Sequence, residues 1–522
     1  MRIETTQSAR GGRGAARARP PRGILVLAAL VSLGTLIPLG FVFVMTITTG
    51  WDTIVRLVFR PRIGELLANT IGLVVIAVPL CILVGVTAAW LVERTAIPGA
   101  KAWVLVLAAP LAVPAFVNSY AWVSTIPSLR GLPAAVLISV LSYFPLVYIP
   151  AAAVLRRLDP ALEQTAASLG LGPWRVFLRV VLPQLRLAVA GGALLVGLHL
   201  LAEFGAFSMV NFSTFTTAIM EQYQATFSGA AANMLASILV LLCLLLLVAE
   251  NSARGRARYA RLGSGVASRS RTRSLGRYRA VALTGVVVLA VLSVGVPIAN
   301  VARWLMIGGP ETWNWERLGA SLLQTLGYGL LGALVTCVLA FPVAWLVVRH
   351  AGRLGRMLES VNYAASALPG IVIALALVTV TISWARPLYQ TAAVAVAAYV
   401  LLFMPRALVT LRSGLAQVPR GLDEAARALG TPPLLAFLRV TLRMSARAVA
   451  AAAALVFLGI VNELTATLVL APSGVRTLAT SFWSLSSELD FAAAAPYALA
   501  MILISMPMTH LFYRQSQKAV GL

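Results

Sequence analysis

Two glutamates, Glu203 and Glu463, stand 260 positions apart, each in an otherwise apolar stretch. An ionised carboxylate at the centre of a membrane helix costs roughly 2.5–3.5 kcal/mol on insertion scales, so such a residue faces the bundle interior or a water-filled cavity. Two of them at matching places predict a cation pathway. They are few ligands for a highly charged cation, so transient contact is expected rather than tight capture. The alternative is that each is held by an arginine or a backbone group and fastens helices together. Other reactive chemistry is sparse. Cys81, Cys243 and Cys337 lie in apolar runs without a CxxC, and His199, His350 and His510 are scattered, so neither a disulfide framework nor a metal site is expected. No G-x-x-x-x-G-K-[ST] occurs, and neither Lys101 nor Lys518 follows a glycine. Without that phosphate cradle the chain is expected to bind no cofactor of its own and not to be an enzyme.

A second pair of features is polar. LEQTAASLGLGPWRVFLRVVLPQLR (162–186) and LDEAARALGTPPLLAFLRVTLRMSA (422–446) interrupt apolar sequence. Each reads as a short helix, a break and a second short helix. Asp159 suits the cap of the first and Pro160 its first turn. Gly170 and Gly430 suit the left-handed residue that ends a helix. Pro173 then opens the next helix, and in the second copy Thr431 is the expected cap before Pro432. Ala166, Ala167, Ala425 and Ala426 leave room for close packing. A rigid elbow of this kind, made twice, predicts a docking surface; the alternative is an ordinary interfacial hairpin between spans.

The elements that carry these residues are membrane spans. The 522-residue chain is 60% hydrophobic and 11% charged, against about 25% charged in soluble domains, and its mean hydropathy is +0.89. Apolar runs near the roughly 20 residues that cross a bilayer recur throughout. The fold class is therefore all-α polytopic membrane protein, with about twelve spans, and the lipid bilayer is a partner. The first six spans are predicted at 23–48, 66–92, 102–123, 131–156, 188–212 and 230–250. The second six fall at 280–306, 321–347, 358–383, 388–411, 447–471 and 491–513. The organisation is a basic tail (1–22), a six-span half (23–250), an Arg-, Ser- and Gly-rich linker (251–279) and a second six-span half (280–522). With the amino terminus inside and the first span uncleaved, both elbows, the linker and the carboxy-terminal tail fall in the cytoplasm. The net charge of +25 then follows the positive-inside rule rather than nucleic-acid binding.

The halves repeat in parallel. At an offset of 260, Pro145 meets Pro405, Phe177–Val180 meets Phe437–Val440 and Gly170 meets Gly430; at 255, Thr70 meets Thr325 and Ala89–Val92 meets Ala344–Val347. The elbow resembles the cytoplasmic EAA loop of ATP-binding-cassette (ABC) importer permeases. The second copy has Glu424, Ala425, Ala426 and Gly430. The first has Gln164, Thr165, Ala166 and Gly170, and so lacks the motif's glutamate, although Glu163 lies beside it. The resemblance implies a fold of two parallel six-helix halves and a coupling role for these residues. It implies partners as well: an ATPase subunit dimer that binds ATP and Mg, and an extracytoplasmic solute-binding protein. It also implies the bacterial inner membrane. Residues 202–223 and 462–483 look like the late-span and outer-loop sequence of fused ferric-iron permeases, which makes ferric iron the expected solute. Thiamine or another small solute is the alternative, and a twelve-span secondary transporter or a membrane enzyme the rival classes. ERTAIPGAK after the second span lacks the Gly- and Arg-rich signature of the major facilitator class.

Overall fold

The computed structural model describes residues 22–48, 50–226, 229–254, 274–350, 352–365 and 368–519. The core of the predicted linker lies outside them. The regular elements among the described residues are helical.

Among the described residues eight helices are long and apolar enough to cross a membrane. Three more spans are bent pairs: Arg22–Thr35 with Ile37–Thr48 (44°), Ala100–Ala112 with Ala115–Thr125 (89°) and Arg353–Ala365 with Gly370–Trp384 (100°). The shorter apolar helix Phe491–Pro507 fills the twelfth position. The breaks in two of these pairs are matched: Pro114 precedes Ala115–Thr125 and Pro369 precedes Gly370–Trp384, as proline at a helix entrance allows.

The predicted fifth and eleventh spans are corrected. They run Pro173–Ala202 and Phe437–Val461, not 188–212 and 447–471. Each begins in the elbow, passes through a π-helical turn (Phe177–Val181 and Phe437–Leu442), and stops before Glu203 and Glu463. Apolar sequence on both sides of the glutamates hid the break. Their carboxylates take up the N–H groups of the helical turns that follow.

Close helix approach in the first half depends on small residues. A Cβ on Gly85 would lie 2.9 Å from Val147 Cβ, and one on Gly192 would lie 2.8 Å from Leu146 O. Both glycines press on the same turn of the helix Pro145–Arg157.

The halves interlock. The first span packs on the second half, where Asn362 Nδ2 donates to Ser32 Oγ at 2.9 Å in a buried site. Reciprocally, Asn300 of Val296–Gly308 donates to Thr125 Oγ1 (2.9 Å) and accepts from Ser124 Oγ (3.1 Å) in the first half. Between them one apolar core crosses the midline. Phe116 and Tyr120 pack on Phe482, with ring centroids 5.6 and 5.2 Å apart, and Phe204 packs on Trp483 at 5.1 Å.

Candidate functional site: paired glutamates and paired elbows

Glu203 and Glu463 occupy equivalent turns. Glu203 Oε1 accepts from Ala206 N at 2.9 Å, and Glu463 Oε1 from Ala466 N at 2.8 Å. Their carbonyls accept from Thr216 Oγ1 (2.6 Å) and Thr467 Oγ1 (3.0 Å) respectively. Each carboxylate thus replaces the missing acceptors at a helix start, which is a capping role. Both side chains stay partly accessible. The turns meet at the midline: a Cβ on Gly205 would lie 2.8 Å from Leu464 and 2.9 Å from Phe116 Cβ. The two carboxylates are close enough to interact electrostatically.

The surroundings differ between the halves. Tyr143 donates its hydroxyl to Glu203 Oε2 at 2.5 Å, and the His199 ring lies 5.4 Å from that of Tyr143. The repeat replaces Tyr143 with Phe403 and His199 with Gly459. A Cβ on Gly459 would lie 2.5 Å from the Phe403 ring, so that ring fills the space an imidazole takes in the first half. The second half adds Arg406 where the first has Leu146. Arg406 sits near the middle of Ala392–Ala416, with its guanidinium carbon 5.1 Å from the Phe403 ring centroid. It is exposed, within electrostatic range of Glu463 and His199. Among the described residues no carboxylate reaches ion-pair distance of it. Neither glutamate is therefore the partner of a buried arginine; backbone groups and Tyr143 hold them.

Tyr143, His199 and Arg406 were not singled out from the sequence. Arg406 carried a signal, a lone charge in LLFMPRALV. Tyr143 and His199 are ordinary residues of apolar helices until the fold brings them to Glu203.

The elbows form as the sequence predicts, with one correction. Asp159 Oδ1 accepts from Ala161 N at 2.9 Å, and Pro160 opens the helix Pro160–Ser168. Gly170 and Gly430 have φ of +84° and +81°. Gly170 N donates to Ala167 O and Leu171 N to Ala166 O; Gly430 N donates to Arg427 O and Thr431 N to Ala426 O. Both are the paired closing bonds of a Schellman end. The correction is Thr431. Ala436 N donates to Pro432 O, so Pro432 stands at the cap, as Gly172 does in the first copy.

Each elbow is pinned to the end of a span. Arg94 lies 3.0 Å from Glu163, and at the equivalent positions Arg349 lies 3.3 Å from Asp423. Thr441, fully buried, donates to both oxygens of Asp423. The anchoring acid is the residue before the EAA-like triplet. Gln164 and Glu424, the triplet's first positions, are exposed. The first copy can lack the motif's glutamate because that position does not hold the elbow in place. Thr165 and Ala425 are exposed, and Ala166 and Ala426 turn inward. Leu169 and Leu429, at matching positions beside the glycines, are 79% and 87% exposed. Two apolar tips on a charged elbow are suited to burial against another protein.

A bundle with eight to eleven candidate spans among the described residues, made of two repeated halves, each with an elbow pinned to its span ends, defines a two-halved membrane permease. The chain belongs to the family described as binding-protein-dependent transport system inner membrane component, which matches residues 99–254 and 338–518. It is 36% identical over 490 residues to the Fe(3+)-transport system permease protein FbpB 2 of Haemophilus influenzae, covering 93% of this chain and 97% of that one. The sulfate transport system permease protein CysW of Synechocystis sp. is 28% identical over 233 residues, which is 41% of this chain and 84% of the relative. The ferric transport system permease protein FbpB of Actinobacillus pleuropneumoniae is 20% identical over 415 residues, 74% of this chain and 58% of the relative. Family membership sets aside the secondary-transporter and membrane-enzyme alternatives.

Proposed function

We propose that this chain is the fused permease of an ABC importer that moves ferric iron into the cell across the bacterial inner membrane. The observation that carries the solute is the near full-length similarity to a ferric permease, at 36% identity. The sulfate relative matches only about one half's worth of chain. An extracytoplasmic binding protein delivers iron to the face opposite the elbows. A pair of ATPase subunits, holding ATP and Mg, docks on the elbows from the cytoplasm, where both chain termini lie. The apolar tips Leu169 and Leu429 enter the subunit surfaces, with Gln164, Thr165, Glu424 and Ala425 beside them. Movement of an elbow pulls on the span ends at Arg94 and Arg349, and the midline turns at Glu203 and Glu463 part.

In this reading the two glutamates line the path. Hard oxygen donors suit a ferric ion, but carboxylates already engaged by N–H groups hold it weakly, which favours passage over storage. The test is ATP-dependent uptake of radioactive iron by proteoliposomes that hold the chain with its copurified ATPase, with binding protein supplied outside. Uptake of sulfate or thiamine with no uptake of iron would overturn the solute assignment. Iron uptake that persists without an ATPase would overturn the importer class.

A further inference from the structure

At the end of the second half far from its elbow lies a cavity of about 450 Å3, lined among others by Arg317, Gln324, Thr467, Arg476, Ser484 and Tyr497. The helix Trp315–Arg349 begins at this cavity and ends at the elbow anchor Arg349. Its 35 residues separate the two by about 50 Å. No aspartate or glutamate lines the cavity. Both guanidinium groups act electrostatically on Tyr497, which is buried. Among the described residues neither arginine has a carboxylate partner.

The first half differs at the equivalent place. There Arg62, the repeat equivalent of Arg317, pairs with Glu65 at 3.0 Å and donates to Ser213 Oγ at 3.3 Å. The position of Glu65 is Ala320 in the second half, and Ala320 lines the cavity. The outer loop has also grown. Ser213 matches Ser473 at the offset of 260, but the capping threonines Thr214 and Thr477 are 263 apart. Both threonines close a capping box on the helix that follows. The three added residues are Gly474, Val475 and Arg476. Gly474 turns the chain at φ +88°, and Arg476 N is fixed to Gln324 Oε1 at 2.6 Å. One half thus has an ion pair where the other has two exposed arginines with no carboxylate partner among the described residues. Arginines at the face away from the elbows also run against the usual charge bias, if the elbows are cytoplasmic.

We propose that this cavity binds a tetrahedral oxyanion, a phosphate or sulfate group. Two guanidinium groups match a dianion in charge, and Arg forks suit phosphate oxygens. Gln324 Oε1 accepts from Arg476 N, which leaves its amide N–H groups as donors, and the Ser484 and Tyr497 hydroxyls line the same cavity. The floor of the cavity includes Thr467, which donates to the Glu463 carbonyl. The site therefore lies next to the midline turn. The anion has two possible sources, a free inorganic ion or the phosphate of a lipid headgroup at the same membrane face.

The test does not require transport, so its outcome is separate from that of the importer reading. Full-length protein in a non-ionic, phosphate-free detergent is dialysed against radioactive inorganic phosphate or sulfate. The expected result is one saturable site per chain. Arg317→Gln and Arg476→Gln each weaken it by about tenfold or more, while Arg62→Gln leaves it unchanged. Melting curves check that the variants are folded. The same measurement in phosphatidylglycerol nanodiscs separates the sources. A free-ion site keeps its binding there. A headgroup site loses it, and wild-type protein then copurifies with a phospholipid that the double variant releases. No saturable anion and no retained lipid would overturn the proposal, as would binding insensitive to both arginines. Docking of the binding protein that depends on these arginines, with no oxyanion or lipid bound, would overturn it in favour of a protein carboxylate.

Discussion

The Arg94 guanidinium meets the Glu163 carboxylate at 3.0 Å, and Arg349 meets Asp423 at 3.3 Å in the other half. The four residues belong to two offsets, 255 for the arginines and 260 for the acids. The five-residue difference falls between the span and the elbow without disturbing the pair. Each arginine is nearly buried, at 6% and 8% exposure, while Glu163 keeps 29% and Asp423 17%. Arg94→Ala is expected to cost about 1–3 kcal/mol, between the limits for surface and buried pairs. It should also raise ATP hydrolysis per solute moved, because the elbow is loosened from its span. The exchange Arg94→Glu with Glu163→Arg should restore part of the coupling. An Arg94→Ala protein with lowered melting temperature but an unchanged ratio of ATP to solute would reduce the pair to a structural fastening.

Gly170 and Gly430 test the elbow differently. A Cβ meets nothing within 4 Å at either position, so bulk alone is tolerated. The cost lies in φ of +84° and +81°, where an L-residue loses about 1–2 kcal/mol. Gly430→Val should leave the protein in the membrane, misaim the helix that starts at Pro433, and abolish solute-stimulated ATP hydrolysis. Gly430→Asn, which visits the left-handed region more readily, should retain part of it. Equal activity in the two variants would show that the turn's conformation does not matter for coupling.

Cutting the linker is expected to be tolerated. The apolar core and the bonds Asn362–Ser32 and Asn300–Thr125 join the halves without it. Fragments 1–260 and 270–522, expressed together, should copurify and transport. Stable insertion of both without assembly would assign the linker a role in docking them.

The sequence shows the all-helical membrane class, the repeat and both elbow glycines, because each rests on local pattern: apolar length, spacing, and a glycine shortly before a proline. It does not show where the fifth and eleventh spans end. Residues 204–212 are as apolar as the helix before them, and only the bonds to Ala206 N and Ala466 N reveal the break. The elbow anchors were hidden for another reason. Glu163 and Asp423 sit one residue before a recognisable triplet, and their partners are about 70 residues upstream, a pairing that only the tertiary fold makes. Arg406 was visible as a single mid-span charge, but its role was not, since such a charge has no meaning until its neighbours are known.

Arg406 and the two glutamates lead to the final prediction. If Glu203 and Glu463 line the path, replacing both with Gln keeps an acceptor for Ala206 N and Ala466 N, so the caps survive and the melting temperature changes little. Uptake per folded molecule should fall at least tenfold, because the field that draws a cation to the midline is gone. Tyr143→Phe separates capping from charge further. It removes only the 2.5 Å bond to Glu203 Oε2 and recreates the second-half residue, Phe403. It should cost about 1–2 kcal/mol with uptake largely kept. Arg406→Leu recreates the first-half residue, Leu146. No carboxylate is left unpaired by it, so stability should hold, and loss of the guanidinium should favour a cation at Glu463. The expected order of iron uptake is therefore Arg406→Leu at or above wild type, Tyr143→Phe close to it, and the double Gln variant far below. Uptake per molecule and a melting curve on each purified variant check this. If the double Gln variant transports normally, the glutamates are caps alone. If Arg406→Leu melts several degrees lower, Arg406 is a structural residue after all, held by the field of Glu463.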